Sequence, residues 1–526
     1  MRKPLREFDG EQYDVIAIGG GISGASSAQH LAAAGYRVLL IDKDDFASAA
    51  TSRSGRLLHC GLRYLAPTYS LLDFIRKPRQ FATALGAARR SILSSSEFLA
   101  TTPEHAREMR LIFAITREMP YRGWHVRLGA RLLEILCRGR QKLDCRTYAP
   151  ADAEAQLPFI KWLSGKDRIA SVVTFRDHQF YWPERICLDA ALDCERLGGA
   201  IRNYTKATGL ERQNDGVWQV ALEDMLAPGD TARVTAPVIL NMAGPWIDKV
   251  NGSVKGTAET ARKVVAIKGV HVLVKLPEAC RGHGIMGTNR HKEAITCMPW
   301  GDLHYVGPTE TVYDGDLDDV RPLEEDITFL IDEINHLMPG IALKRQDVLQ
   351  AWAGIRPISY DAALPKGRRM PFSVFQDLGA DGLENVLTVT WAAIMFHRSA
   401  AREVVAAVKS RLKPSRPQQA PSYAATHFPE NQNSPPVVLH NPEVKLADLR
   451  HSAEREHPVG LVDLLYRRTR LGWTGSIPAE AVEAAAKAAA GPLGWDDARQ
   501  QKEIAAFHAY VAAYHQPDAG RDWSGG

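Results

Sequence analysis

The chain has 526 residues, 45% of them hydrophobic and 24% charged, which suits more than one folded domain and excludes a disordered polymer. Its net charge of +4 gives no overall attraction for nucleic acid. The seven cysteines are odd in number and form no C-x-x-C pair, which argues against a disulfide frame or a zinc site and for reduced thiols in a cytoplasmic setting.

Residues 13–42, YDVIAIGGGISGASSAQHLAAAGYRVLLID, read as strand, tight glycine turn, helix and strand. Gly19, Gly21 and Gly24 fill G-x-G-x-x-G, and Asp42 closes the second apolar run about 20 residues on. Gly19 permits the turn, Gly21 lets backbone approach a pyrophosphate, and Gly24 lets the helix pack on the strand. The helix N-terminus then offers N–H groups and partial positive charge to phosphates, and Asp42 accepts from ribose hydroxyls. The glycines predict a dinucleotide but do not choose between NAD and FAD.

The next segment, Ser48 to Leu65, is small and hydroxyl-rich, then carries His59, Arg63 and Tyr64. Thr51, Ser52, Leu57, His59, Gly61, Arg63, Tyr64 and Leu65 match the pattern A-T-S-S-x-S-S-K-L-x-H-G-G-x-R-Y-L. On these residues the chain resembles the FAD-dependent glycerol-3-phosphate dehydrogenases of the aerobic, quinone-linked type. Arg56 replaces the pattern's lysine and keeps its charge; Cys60 replaces a glycine.

Thr68 to Leu136 is mostly helical in pattern. Within it, Trp124 to Lys142 alternates arginines with Leu128, Leu132, Leu133, Ile135 and Leu136. Such a helix suits either a core-facing packing with a solvated basic face or an anionic membrane surface. The resemblance gives weight to the second, because those enzymes are peripheral membrane proteins.

Asp177, His178 and Gln179 are similar to the D-x-Q of that family, and a helix follows over Leu188–Leu197 before a strand near Ala200. Val238 to Trp246 ends in Ala243-Gly244-Pro245-Trp246, which resembles N-A-T-G-P-W. Lys268, Gly269 and His271 resemble K-G-S-H, and Gly307-Pro308-Thr309-Glu310 resembles G-T-T-D. Alternating residues here predict an antiparallel sheet on the substrate side. Trp352 to Pro357 resembles S-G-V-R-P. Where the family carries G-G-K-L-T-T-Y-R, this chain has Trp391 to Arg398, with Ala393 at the lysine position. Residues 413–442 are rich in Pro, Gln, Asn and Ser and read as a linker. The resemblance resumes in Leu461–Leu471 and Leu493–Ile504.

The expected architecture is α/β: a Rossmann-like FAD-binding domain with an antiparallel-sheet substrate domain over residues 1–412, a linker over 413–442, and a C-terminal α-helical domain over 443–526. The resemblance implies FAD held by Gly19, Gly21, Ile22, Ser23, Gly24, Asp42, Thr51, Ser52, Arg56, Leu58, His59, Ala207, Ala243, Gly244, Ile394 and Met395. It implies Arg63, Tyr64, Arg356 and Arg369 around an anionic substrate, Arg368 being the alternative to Arg369. Guanidinium forks suit phosphate or carboxylate. His59 is the first candidate base and His271 the second, since imidazole titrates near working pH.

The implied reaction is oxidation of a secondary alcohol of glycerol 3-phosphate or a related polyol phosphate. Electrons pass to quinone or a similar acceptor. An FAD oxidase of a hydroxy acid or amine is the alternative. Ala393 removes one cation and points to altered anion geometry or a longer substrate. No metal and no nucleic acid partner are expected. The expected location is cytoplasmic, with peripheral contact at the inner membrane face and a homodimer among the expected assemblies.

Overall fold

In the computed structural model, the described residues are 2–65, 76–256, 260–291, 293–370, 372–390, 393–429, 433–439 and 441–515. A six-stranded sheet sits at the centre, in the order Val374–Asp377, Val386–Thr390, Val238–Asn241, Val15–Ile18, Val38–Ile41, Ala200–Arg202. All neighbours run parallel except the first pair. Its inner strands are buried on both faces, as near-continuous apolar runs require. Val15 pairs with both Val38 and Val238, so Ile18, Ile41 and Asn241 end level and open a crevice at their carboxyl ends.

Helices Ile22–Ala33, Pro183–Arg196 and His397–Lys409 pack on one face of this sheet. The middle one starts earlier than its apolar pattern suggests, because Pro183 occupies the first turn, where its fixed φ is an advantage. The other face is covered by an antiparallel sheet of Thr205–Arg212, Trp218–Asp224 and Thr231–Ala236, anchored by buried Trp218.

A second, larger sheet has ten strands. Its pairings are antiparallel but for one, Ala106–Thr116 alongside His283–Thr288. Ala106–Thr116 corrects the helical reading of 68–136. That stretch holds helices Pro78–Thr101 and Gly123–Leu136 with an 11-residue strand between them, and residues 66–75 lie outside the described ones. The strand pairs along its whole length with Ile169–Phe180, and this ladder overrides the helix propensity of its Ala, Glu, Met and Leu residues. Val264–Val274 pairs antiparallel with Val348–Ser359, setting His271 opposite Trp352 and Gly269 opposite Gly354.

Helices Leu446–Arg455, Leu471–Thr474, Ala479–Leu493 and Asp497–Tyr514 pack against this sheet around Trp300, Tyr305 and Trp352. Residues 413–429 form no helix or strand and lie against the helices of the central sheet. Gln29 Nε2 donates to the Ser422 carbonyl (2.7 Å), and the Arg398 guanidinium lies 3.9 Å from the Tyr423 ring centroid. Among the described residues no helix is long and apolar enough to cross a membrane.

Candidate active site

A single cavity of about 870 Å³ runs from the carboxyl ends of the central strands to the face of the large sheet. That is at the upper end for ligand pockets, which run about 300–1,000 Å³. At its first end, Gly19 (φ +112°) lies so close to Met242 that a Cβ would overlap the Met242 carbonyl. A Cβ on Gly24 would overlap the Gly19 carbonyl, so Gly24 serves helix–strand packing and does not line the cavity. Helix Ile22–Ala33 has no side-chain cap at Gly21, and of its first N–H groups only that of Ile22 is met by a side chain, Thr51 Oγ1 at 3.0 Å. Its positive end therefore faces the cavity beside Gly21, Ile22 and Ser23.

Asp42 closes the second strand. Its carboxylate accepts from the Gly20 N–H (2.6 Å) and the Asp44 N–H (2.8 Å). Burial, with neighbouring Asp44, pushes its pKa up to about 7. Lys43 lies over the Trp246 ring and pairs with Asp318 at 2.8 Å, at the same end as Ala207, Ala243 and Gly244. Ile394 and Met395 line the far wall.

Three other residues expected at the cofactor are placed differently. Leu58 is fully buried in the core, because the alternation of its short strand turns Leu57 to the cavity instead. Ser52 Oγ donates back to the Ala49 carbonyl (3.2 Å) and does not line the cavity. Arg56 borders the cavity, but its guanidinium points to buried Glu184 (2.7 Å) and lies between Trp300 and Trp473, 5.1 and 4.5 Å from their ring centroids.

At the second end His271 stacks on Trp352 with ring centroids 5.2 Å apart and planes 14° apart. Both its ring nitrogens are buried without a hydrogen-bond partner. Burial, followed by Arg356 and Arg56, lowers its pKa to about 3. Gly55 approaches its Nε2, where a Cβ would come to 3.3 Å. Arg356 crosses over Gly269, two residues along the same strand face, so guanidinium and imidazole are neighbours on the cavity wall. Arg356 donates to Glu310 Oε1 (3.0 Å) and to the Thr309 carbonyl (2.6 Å).

His59, Arg63 and Tyr64 also line this end. His59 is buried, its Nδ1 is unpartnered, and burial and Arg63 hold its pKa well below the usual value. The Arg63 guanidinium lies 5.1 Å from the Tyr64 ring centroid and has no carboxylate partner among the described residues. Arg369 does not line the cavity. Both its terminal nitrogens donate to Glu310, at 2.7 and 2.6 Å. Arg368 pairs with Asp361 at the surface.

Two residues that sequence reasoning left without a role stand out. Glu310 bridges two arginines, and Trp352 supports the histidine. Neither follows from spacing along the chain, since 46 residues separate Glu310 from Arg356.

The model of the family described as FAD dependent oxidoreductase (DAO) matches residues 14–396, which span both ends of the cavity. The chain belongs to that family. FAD is its cofactor, and the uncapped helix, the close-packed glycine turn and the Asp42 carboxylate at the end of the second strand fit that molecule. Similar proteins include a glycerol-3-phosphate dehydrogenase of Synechocystis, 29% identical over 78% of this chain and 72% of the relative. An aerobic glycerol-3-phosphate dehydrogenase of Staphylococcus saprophyticus is 26% identical over 78% and 69%. Among solved structures, a glycerol-3-phosphate dehydrogenase of Bacillus halodurans complexed with FAD superposes with a TM-score of 0.70 at 18% identity, covering 98% of both chains. An L-α-glycerophosphate oxidase of Mycoplasma pneumoniae with FAD gives 0.56 at 16% identity, over 79% of this chain and all of that one. This flavoprotein therefore shares its full architecture with the first, C-terminal helices included.

Proposed function

We propose that this flavoprotein is a dehydrogenase that oxidises the secondary alcohol of a small hydroxylated anion of the glycerol 3-phosphate class. The observation that carries the reading is the single cavity joining the Asp42 and glycine-turn end to the end built from His271, Arg356, His59 and Arg63. The printed names of the sequence relatives support the same class.

Bound FAD supplies the hydride acceptor, its N5 atom. The remaining tasks fall to side chains. Arg356 and Arg63 hold the acid group and fix which carbon faces the flavin. His271 Nε2 takes the hydroxyl proton, because it is unpartnered and next to Arg356. Burial and the arginines make it a weaker base than a free imidazole, and the charge of an anion bound at Arg356 offsets the arginine part of that shift. His59 is the second candidate. The buried walls exclude bulk water from the reacting carbon.

The acceptor read with this function is a membrane quinone. Helix Gly123–Leu136 supports it. Trp124, Leu128 and Ile135 are 55%, 63% and 72% exposed, whereas Ala130 and Leu133 are buried. Arg127, Arg131 and Arg138 are exposed beside them. The helix packs on the turn Leu62–Leu65, which carries Arg63 and Tyr64, so a lipid contact there sets the cavity beside the bilayer.

The deciding experiment is anaerobic bleaching of the bound flavin by glycerol 3-phosphate and related polyol anions, then reoxidation by a quinone analogue or by air. Bleaching followed by fast quinone reoxidation supports the reading. Peroxide formed in air at a comparable rate makes the protein an oxidase, and no bleaching by any member removes the assignment.

A further inference from the structure

Two glycines face each other in the paired strands behind the reacting end, Gly269 opposite Gly354. Both places are already filled. The Arg356 guanidinium lies over Gly269, and a Cβ on Gly354 would come to 2.8 Å of the Arg53 Cβ. A third glycine, Gly55, is different. A Cβ there would stand 3.3 Å from His271 Nε2 and 3.9 Å from its Cε1, and apart from its own chain neighbours nothing else comes within 4 Å. Gly55 and His271 both line the cavity, so this place opens onto it. Its size suits one oxygen atom, which needs to move only a few tenths of an ångström to reach hydrogen-bond distance, about 2.7–3.2 Å, from the unpartnered Nε2. In the glycerol-3-phosphate dehydrogenase pattern a serine precedes the lysine that Arg56 replaces, and its side chain would occupy the place that Gly55 leaves free.

The main chain is fixed on both sides of this place. Buried Tyr305 donates its hydroxyl to the Gly55 carbonyl (2.8 Å), and its ring meets His271 edge-on, with centroids 5.8 Å apart and planes at 72°. The next residue, Arg56, accepts the Phe180 N–H at its carbonyl (2.7 Å) and carries its guanidinium to Glu184. Tyr305 therefore touches the imidazole and also sets how far the Gly55 backbone stands from Nε2.

We propose that Gly55 and Tyr305 are positioning residues that make His271, and not His59, the proton acceptor, by keeping one oxygen-sized place open at Nε2 for the reacting hydroxyl. The inference rests on the dehydrogenase reading above and deepens it. In that place the O–H bond breaks with its proton passing to Nε2, the carbinol C–H pair leaves as hydride to the bound flavin, and a carbonyl remains. The acid group stays with Arg356 next door, so filling the place strikes the chemical step and spares binding.

The test follows anaerobic flavin reduction in FAD-loaded full-length protein by sn-glycerol 3-phosphate and by D-glycerate. Gly55 has a backbone conformation that alanine adopts without strain, so Gly55→Ala only puts a methyl group into the place. Its limiting reduction rate should fall by about 10²-fold or more, with the apparent substrate dissociation constant within about threefold and the affinity and absorbance of FAD unchanged. Tyr305→Phe, which keeps the ring and removes the hydroxyl, should lower the limiting rate about tenfold with the same split. Gly55→Ala combined with His271→Asn should be within about threefold of His271→Asn alone, because both changes remove the same proton transfer. A Gly55→Ala rate within about threefold of the unaltered protein overturns the inference. A loss shared between rate, substrate binding and FAD affinity also overturns it, since a purely structural role predicts that, and so do additive losses in the double variant. Reduction that survives His271→Asn overturns it too and leaves the dehydrogenase reading standing. No reduction of the unaltered protein by either compound overturns both.

Discussion

The imidazole of His271 lies flat on the indole of Trp352, with ring centroids 5.2 Å apart, and neither ring nitrogen has a partner. The stack holds the ring upright on the cavity wall next to Arg356. Because burial and the two nearby arginines lower its pKa to about 3, the ring is neutral across the usual assay range. Protonation would block proton acceptance, and here it occurs only in strong acid. The acid limb of kcat/KM should therefore lie below pH 5. His271→Asn should lower kcat by about 10²- to 10⁴-fold while the flavin spectrum stays unchanged. An acid limb near pH 6.5 in the unaltered enzyme would remove His271 from this role.

Asp42 gives a second pH dependence, of binding and not of turnover. Its pKa stands near 7 without ligand, and only the ionised form accepts from two ribose hydroxyls. FAD binding to the stripped protein should therefore release protons and weaken as pH falls through 7 towards 5.5. Asp42→Asn should weaken FAD about tenfold or more at pH 8 and flatten the profile. Fluorescence quenching titrations of FAD at several pH values measure both; a pH-independent affinity in the unaltered protein would contradict the assignment.

Arg56 and Glu184 form an ion pair with side chains 2% and 0% exposed, and Trp473 of the C-terminal helical region packs on the guanidinium. Glu184→Gln leaves a buried arginine without its counterion and should cost about 3–5 kcal/mol in urea unfolding of the FAD-loaded protein. The double variant Arg56→Met with Glu184→Leu should recover much of that loss, because apolar side chains of similar volume often replace a buried pair without penalty. If the double variant is less stable than the single one, the pair does more than compensate charge.

On the basic helix, changing Trp124, Leu128 and Ile135 to Ser, Ser and Thr removes apolar side chains already exposed to water. Folding and turnover with a dye acceptor should not change. Binding to vesicles containing anionic lipid should fall at least about tenfold, since each inserted side chain contributes about 1.5–3 kcal/mol. Unchanged sedimentation with such vesicles would return the helix to a solvated packing role.

Much of the cofactor end was legible from residues alone. The glycine spacing, the helix formers after it and Asp42 act within one βα unit, where sequence neighbours are also neighbours in space. The strand at Ala106–Thr116 was not legible, since its partner Ile169–Phe180 supplies the ladder that fixes it. Arg56 was read correctly as a cation but not by direction. Its destination, Glu184, lies 128 residues away.

By itself the sequence determined the dinucleotide turn, which glycine spacing and local periodicity encode directly. The family and the flavin were legible as a resemblance carried by short motifs along the chain. The tertiary structure decided how the charges are spent. The pairing of Val264–Val274 with Val348–Ser359 sets Arg356 beside His271, and Glu310 then draws Arg369 off the cavity. Charge compensation depends on distance in space and on burial, and neither quantity is written in the order of residues along a chain.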